Sequence, residues 1–212
     1  MTALEFSVVD VVVDPYSVTP NLTVRLRISE STGAHVRALA LRAQVRIEPH
    51  RRPYTELEEE ALLDLFGRRE RWSSTLRTFL WMECSTVVQG FDGVTVAHLP
   101  MPCTYDVAVT ASKYMHALAG GTVPVVLLLS GTVFTDGNRG FSVEQIPWDR
   151  SASYEIPVAT WKQLIETHYP GSGWVRLDHD TIAELARFKA AHGLTDMESA
   201  VRELLSGSEV AT

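Results

Sequence analysis

Residues 21–48 read NLTVRLRISESTGAHVRALALRAQVRIE, and the period of their apolar positions decides the architecture. Leu22, Val24, Leu26 and Ile28 fall on one side of an extended chain, as do Leu39, Leu41, Ala43, Val45 and Ile47. Arg25, Arg27, Arg42, Gln44 and Arg46 fall on the other. Side chains alternate across a strand, so each run has one buried face and one wet face. With Ser31-Thr32-Gly33 as the turn between them, the stretch predicts a β-hairpin in an antiparallel sheet.

Outward from this stretch, a strand is expected near 6–13, with Asp14-Pro15-Tyr16 and Thr19-Pro20 as turns. Thr55-Glu56-Leu57-Glu58 is a capping box, in which the threonine hydroxyl and the glutamate each satisfy an orphan amide of a helix start. It predicts a helix over 56–66 with Leu57, Ala61, Leu62, Leu65 and Phe66 inward and Gly67 just past its end. Residues 71–82 fit a short helix and a strand run-in equally. Short β-prone runs follow at 85–88, 94–99, 105–111, 123–134, 141–146 and 153–158, and Asp136-Gly137-Asn138-Arg139-Gly140 reads as a hairpin loop. Val125 to Leu129 does not alternate, which predicts a central strand covered on both faces.

The fold class expected is therefore α+β and mainly antiparallel: a β-sandwich or open barrel over 1–157 with one inserted helix, and a helical appendage over 158–212. Within the appendage a helix at 158–168 is broken by Pro170-Gly171, and a strand-helix-helix run starts at 174, with helices at 181–192 and 196–205.

Composition narrows the function classes. The 212 residues are 45% hydrophobic with a net charge of −7, ample for a core and opposed to a general nucleic-acid binder, which needs a basic footprint. The longest strongly apolar run, Val123 to Leu129, is far short of the roughly 20 residues that span a bilayer. The start, MTALEFSVVD, has neither a basic segment nor a cleavage site for export, so a cytoplasmic location is expected. Two cysteines suit that reducing compartment.

No catalytic residue, metal site or cofactor is assigned. Cys84, His98, Cys103 and His116 lack the paired spacing of a zinc site, and Ser130 has no nucleophile-elbow context. Ala119-Gly120-Gly121-Thr122 has no lysine after it and reads as a turn. Arginine and tryptophan are what protein interfaces concentrate, and Arg51, Arg52, Trp72, Arg139 and Trp148 are the partner-binding candidates. An enzyme alternative would gather Tyr105, Asp106, Lys113 and His116 into one concave pocket.

Two resemblances add to these residues. The tail from Val175 to Leu205, opening on VRLD and followed by two helical segments, resembles a ribbon-helix-helix module. That resemblance implies a homodimer through 174–205 and, in repressors, DNA reading by the ribbon; Asp178 and Asp180 beside Arg176 oppose DNA here. The phrases TPNLTVRLRI (19–28), QVRIEPHRRPYT (44–55), LDLFGRRERW (63–72), STLRTFLW (74–81), LPMPCTYD (99–106), KYMHAL (113–118), VLLLSGTVF (126–134) and EQIPWDRSASY (144–154) together resemble an uncharacterised bacterial family of unknown function. Its genes tend to lie with those of nickel-iron hydrogenase subunits and maturation proteins. The resemblance implies a hydrogenase context and no activity; two lone cysteines do not suit a metal carrier, so within that context the role expected is a non-catalytic accessory or chaperone-like interaction protein, with hydrogenase subunits or maturation proteins as candidate partners.

Overall fold

Leu22, Val24, Leu26 and Ile28 are buried as their alternation requires, and so are Leu39, Leu41, Ala43, Val45 and Ile47. The computed structural model, which describes residues 2–103, 109–137, 140–171 and 177–209, puts these two rows in different sheets. Strand β2 (Asn21–Glu30) lies between β1 (Leu4–Val13) and β5 (Val94–Pro102) in a three-stranded sheet. Strand β3 (Val36–Ile47) lies between β4 (Phe79–Phe91) and β6 (Thr122–Gly137) in a five-stranded sheet. Strands β7 (Gly140–Gln145) and β8 (Ser151–Pro157) both pair with β6. All pairings are antiparallel.

The expected hairpin at 21–48 is therefore an arch. Residues 31–35 carry the chain from one sheet to the other, so the two apolar rows meet face to face instead of lying side by side. Glu30 organises the crossing. Its buried carboxylate accepts hydrogen bonds from the amides of Ala3, Thr32 and Ala34 and from the Thr32 hydroxyl, the last at 2.6 Å. Burial opposes the charge, but these donors outweigh it and hold the carboxyl at about 2. A second crossing, at Asp92-Gly93 between β4 and β5, lies beside the first: the Glu30 amide donates to the Gly93 carbonyl, and His35 Nδ1 is 2.7 Å from Asp92 Oδ1. The sheets stay separate, which makes the fold a sandwich and not a closed barrel.

Strand β6 is central, but its second face is only partly covered: Pro124 is buried there and Val126 half-buried. Val125, Leu127 and Leu129 are buried, whereas Leu128 is 37% exposed, so the expectation of burial on both faces fails for this strand. Gly131 explains how β3 and β6 pass so closely, since a Cβ there would meet the Ala40 carbonyl oxygen at 2.1 Å.

Helices close the end of the sandwich near residue 50. A 3-10 turn at Pro49–Arg51 leads to α1 (Glu56–Ala61) and α2 (Leu63–Phe66), divided at Leu62. The capping box at Thr55 and Glu58 forms as expected, and Gly67 follows α2 at φ 72°. The inward face differs from the expected one: Leu62 and Phe66 are buried, Leu57 is 77% exposed, and Glu58 turns inward. A further turn at Arg69–Arg71 and α3 (Trp72–Thr75) resolve the ambiguous segment before β4. The strand expected at 105–111 is replaced from Val109 by helix α4 (Val109–Ala117), which buries Ala111, Tyr114 and Met115; its first part lies outside the described residues. Tertiary packing of that face overrides the β propensity of the local run.

The chain divides into two compact units, Met1–Pro170 and Gly171–Thr212. Helix α5 (Val158–His168), read from sequence as part of the appendage, packs in the first unit, with Trp161 set edge-on to Trp81 at 6.2 Å. The second unit holds α6 (His179–Ala191) and α7 (Met197–Glu209). Among the described residues no helix is long and apolar enough to cross a membrane.

Candidate functional site

Arg52 and Trp72 are committed to internal contacts. The Arg52 guanidinium and the Glu58 carboxylate are 8% and 4% exposed and 2.9 Å apart. Glu58 also accepts from the amides of Thr55 and Ala119, each at 2.9 Å. Burial raises its pKa, but those amides and Arg52 together hold it below the ordinary value. Arg52 lies over the Tyr54 ring, 5.0 Å from its centroid, and the Tyr54 hydroxyl donates to the Pro49 carbonyl at 2.6 Å. The Tyr54 proton being used there, the Tyr114 hydroxyl donates to the Tyr54 oxygen at 2.8 Å. Trp72 stands edge-on to Tyr54 at 5.1 Å and its indole N–H donates to the Gly67 carbonyl. This knot of rings and charges locks the helical end to the sheets. Capping-box spacing found Glu58; nothing in the spacing announces that Arg52 and Tyr114 join it.

The other partner-binding candidates lie elsewhere. Arg51 is partly exposed and bonded to Glu48 at 2.6 Å, beside Pro124. Trp148, 93% exposed, precedes the opposite end of β8, a separation on the order of 15 Å along the strand. Arg139 is outside the described residues. Of the enzyme alternative, Tyr105 and Asp106 are also outside them, while Lys113 and His116 sit on α4. Lys113 Nζ faces Asp64 at 4.0 Å, and His116 stands edge-on to Trp161 at 5.9 Å. Cys84 and Cys103 are buried thiols, each pushed up to about 12 by burial, and therefore weak nucleophiles in the folded chain.

The second unit presents a different surface. Asp178 caps α6 by accepting from the Thr181 amide at 2.7 Å, and Asp196 caps the start of α7 by accepting from the Ser199 amide at 2.7 Å. Gly193, at φ 65°, ends the connection from α6. Between these well-formed ends the helices bury only Ala200 among the described hydrophobic residues of the unit. Leu177, Ile182, Met197, Val201 and Leu204 remain 40–45% exposed. The ribbon positions read at 175 and 176 lie outside the described residues.

Comparison with known proteins adds a family. The model described as a family of unknown function (DUF6084) matches residues 1–212. The chain belongs to DUF6084. No curated protein matches this DUF6084 chain. Among solved structures it is similar to AggA, the major subunit of aggregative adherence fimbriae type I from Escherichia coli, at 7% identity. That match covers 74% of this chain and 94% of the fimbrial subunit, with a TM-score of 0.28. A β-glucosidase from Kluyveromyces marxianus is similar at 8% identity over 73% of this chain and 15% of the glucosidase, with a TM-score of 0.26.

Proposed function

We propose that this protein is a non-catalytic accessory protein that works by binding other proteins in the cytoplasm. A sandwich serves as the scaffold and the α6–α7 pair as a docking arm. The observation that carries this is the uncovered apolar face of the arm: Ile182, Met197, Val201 and Leu204 are exposed on helices whose N-termini are capped. Ala200 is fully buried and Leu185, Phe188 and Leu194 only half-buried, so the pair keeps apolar surface whose covering is worth roughly 25 cal/mol per Å². As partners we propose nickel-iron hydrogenase subunits or their maturation proteins, on the family resemblance in the phrases quoted above. Co-purification of the full chain with recombinant hydrogenase subunits and maturation proteins tests this. Specific capture, lost in a Val201→Glu, Leu204→Glu double variant, is the expected outcome; capture of none of them, or capture indifferent to the arm, overturns it.

A second reading has the arm pair with the arm of another copy. Met197, Val201 and Leu204 follow the i, i+4, i+7 spacing of a helical seam, which favours it. Sedimentation equilibrium separates the two: a dimer dissolved by the same double variant supports self-pairing, and a monomer at all concentrations rejects it.

A further inference from the structure

The outer face of the five-stranded sheet is built from short side chains and bare aliphatic ones. Strand register puts Val87 beside Ala40, Ser85 and Ser130 on either side of Arg42, and Glu83 beside Gln44. Val87 is 73% exposed, and Leu80, Leu128 and Val143 on the same face are exposed as well. A sheet face that meets only water alternates to polar side chains, so these aliphatic groups mark a surface that is covered in use. Charged pairs stand at its two ends, Arg37 with Asp136 and Arg51 with Glu48, which gives the face the apolar centre and polar rim of a protein interface.

Two charges of opposite sign stand inside that rim. Glu83 accepts from the Gln44 side-chain amide at 2.9 Å, and Arg42 has no hydrogen-bond or ion-pair partner among the described residues. Arg42 pairs in register with Ser85, so Glu83 is its diagonal neighbour, about 8 Å away between Cα atoms. The short Ser85 and Ser130 side chains leave a hollow of about 430 Å³ beside both charges, open to a guanidinium from outside. Four strands wide and twelve residues long at β3, the face covers about 750 Å², given about 4.8 Å per strand and about 3.3 Å per residue. An interface of standard size takes about 800 Å² from each partner, which this face alone nearly supplies.

We infer that this face is the contact of a two-fold homodimer, five-stranded sheet against five-stranded sheet, with Arg42 of each copy seated in the hollow beside Glu83 of the partner subunit. A cation and an anion side by side make the face complementary to itself, because a two-fold axis lying in the contact lays each on the other. A partner of single charge would instead cover one of the two and leave it unpaired, which is costly. The face belongs wholly to the first unit and its test is read separately from that of the docking arm, so neither assignment falls with the other.

The test is sedimentation equilibrium of the full chain, repeated on the Val201→Glu, Leu204→Glu variant so that pairing through the arm does not contribute. A dimer of micromolar or tighter affinity is expected in both. Arg42→Glu and Glu83→Arg each weaken it about tenfold or more, because the symmetry presents the reversed charge twice, and the two together restore it to within about threefold of the parent. Both side chains are exposed in the single chain, and restoration by the double reversal separates a lost contact from a lost fold. A monomer up to about 1 mM, a dimer lost with the arm variant, a dimer indifferent to the single reversals, or no restoration by the double reversal overturns the proposal.

Discussion

Arg52 Nη2 lies 2.9 Å from Glu58 Oε1, and solvent barely reaches either side chain. Desolvating an ion pair costs nearly what its attraction returns, but removing one member strands a buried charge. Arg52→Met should therefore lower the unfolding free energy by about 3–5 kcal/mol, whereas Arg52→Met with Glu58→Leu should recover part of the loss. Urea denaturation of the two variants checks this, and equal stability of single and double variants would contradict it.

Glu30 predicts an acid limb in the stability curve. Its pKa falls from 4.5 to about 2 on folding, so the folded state holds fewer protons than the unfolded chain between those values. The stabilisation is fully present above the unfolded value and drains away as pH falls toward the folded one. Glu30→Gln should flatten the pH dependence of the melting temperature between pH 4.5 and 2 and lower stability at pH 7. A variant with the wild-type acid profile would show that other carboxylates set it.

Gly131→Ala should be strongly destabilising, by about 2 kcal/mol or more, because the clash at 2.1 Å is with backbone of the paired strand and cannot be relieved by a rotamer. Gly120→Ala, which meets nothing within 4 Å, is the control and should stay within about 0.5 kcal/mol of wild type. Thermal melts of the pair decide it.

Cys84 and Cys103 should resist modification by a thiol reagent at pH 8 in the folded chain and react promptly in denaturant, since burial keeps both protonated. Mass spectrometry of the alkylated protein counts the modified thiols directly, and fast labelling of the native chain would contradict their burial.

Much of this architecture was legible in residues 21–48, though not all of it. Period-two alternation reports which face of a strand is buried and is silent on which strand lies alongside. Leu26 and Leu41 were thus rightly inward, but the same pattern serves a hairpin and an arch. What braces the arch is Glu30, whose carboxylate accepts from three amides, and an isolated glutamate at a strand end gives no such signal in sequence. The capping box at Thr55 was readable because its chemistry is local; Leu57 was misplaced because the helix breaks at Leu62 and turns Glu58 inward toward Arg52. Tyr54 and Tyr114 meet across sixty residues of chain, a distance no local spacing encodes.

The arch has a consequence for synthesis. Strand β2 acquires its second neighbour only when residues 94–102 exist, and β3 acquires β6 only after residue 122. A nascent chain that ends before residue 94 has β2 paired only with β1 and β3 only with β4, so each keeps one open edge. Such intermediates assemble slowly and pair readily with strangers. The yield of folded protein should therefore depend on how fast the ribosome delivers β5 and β6, and slowing elongation upstream of residue 94 should raise the aggregated fraction.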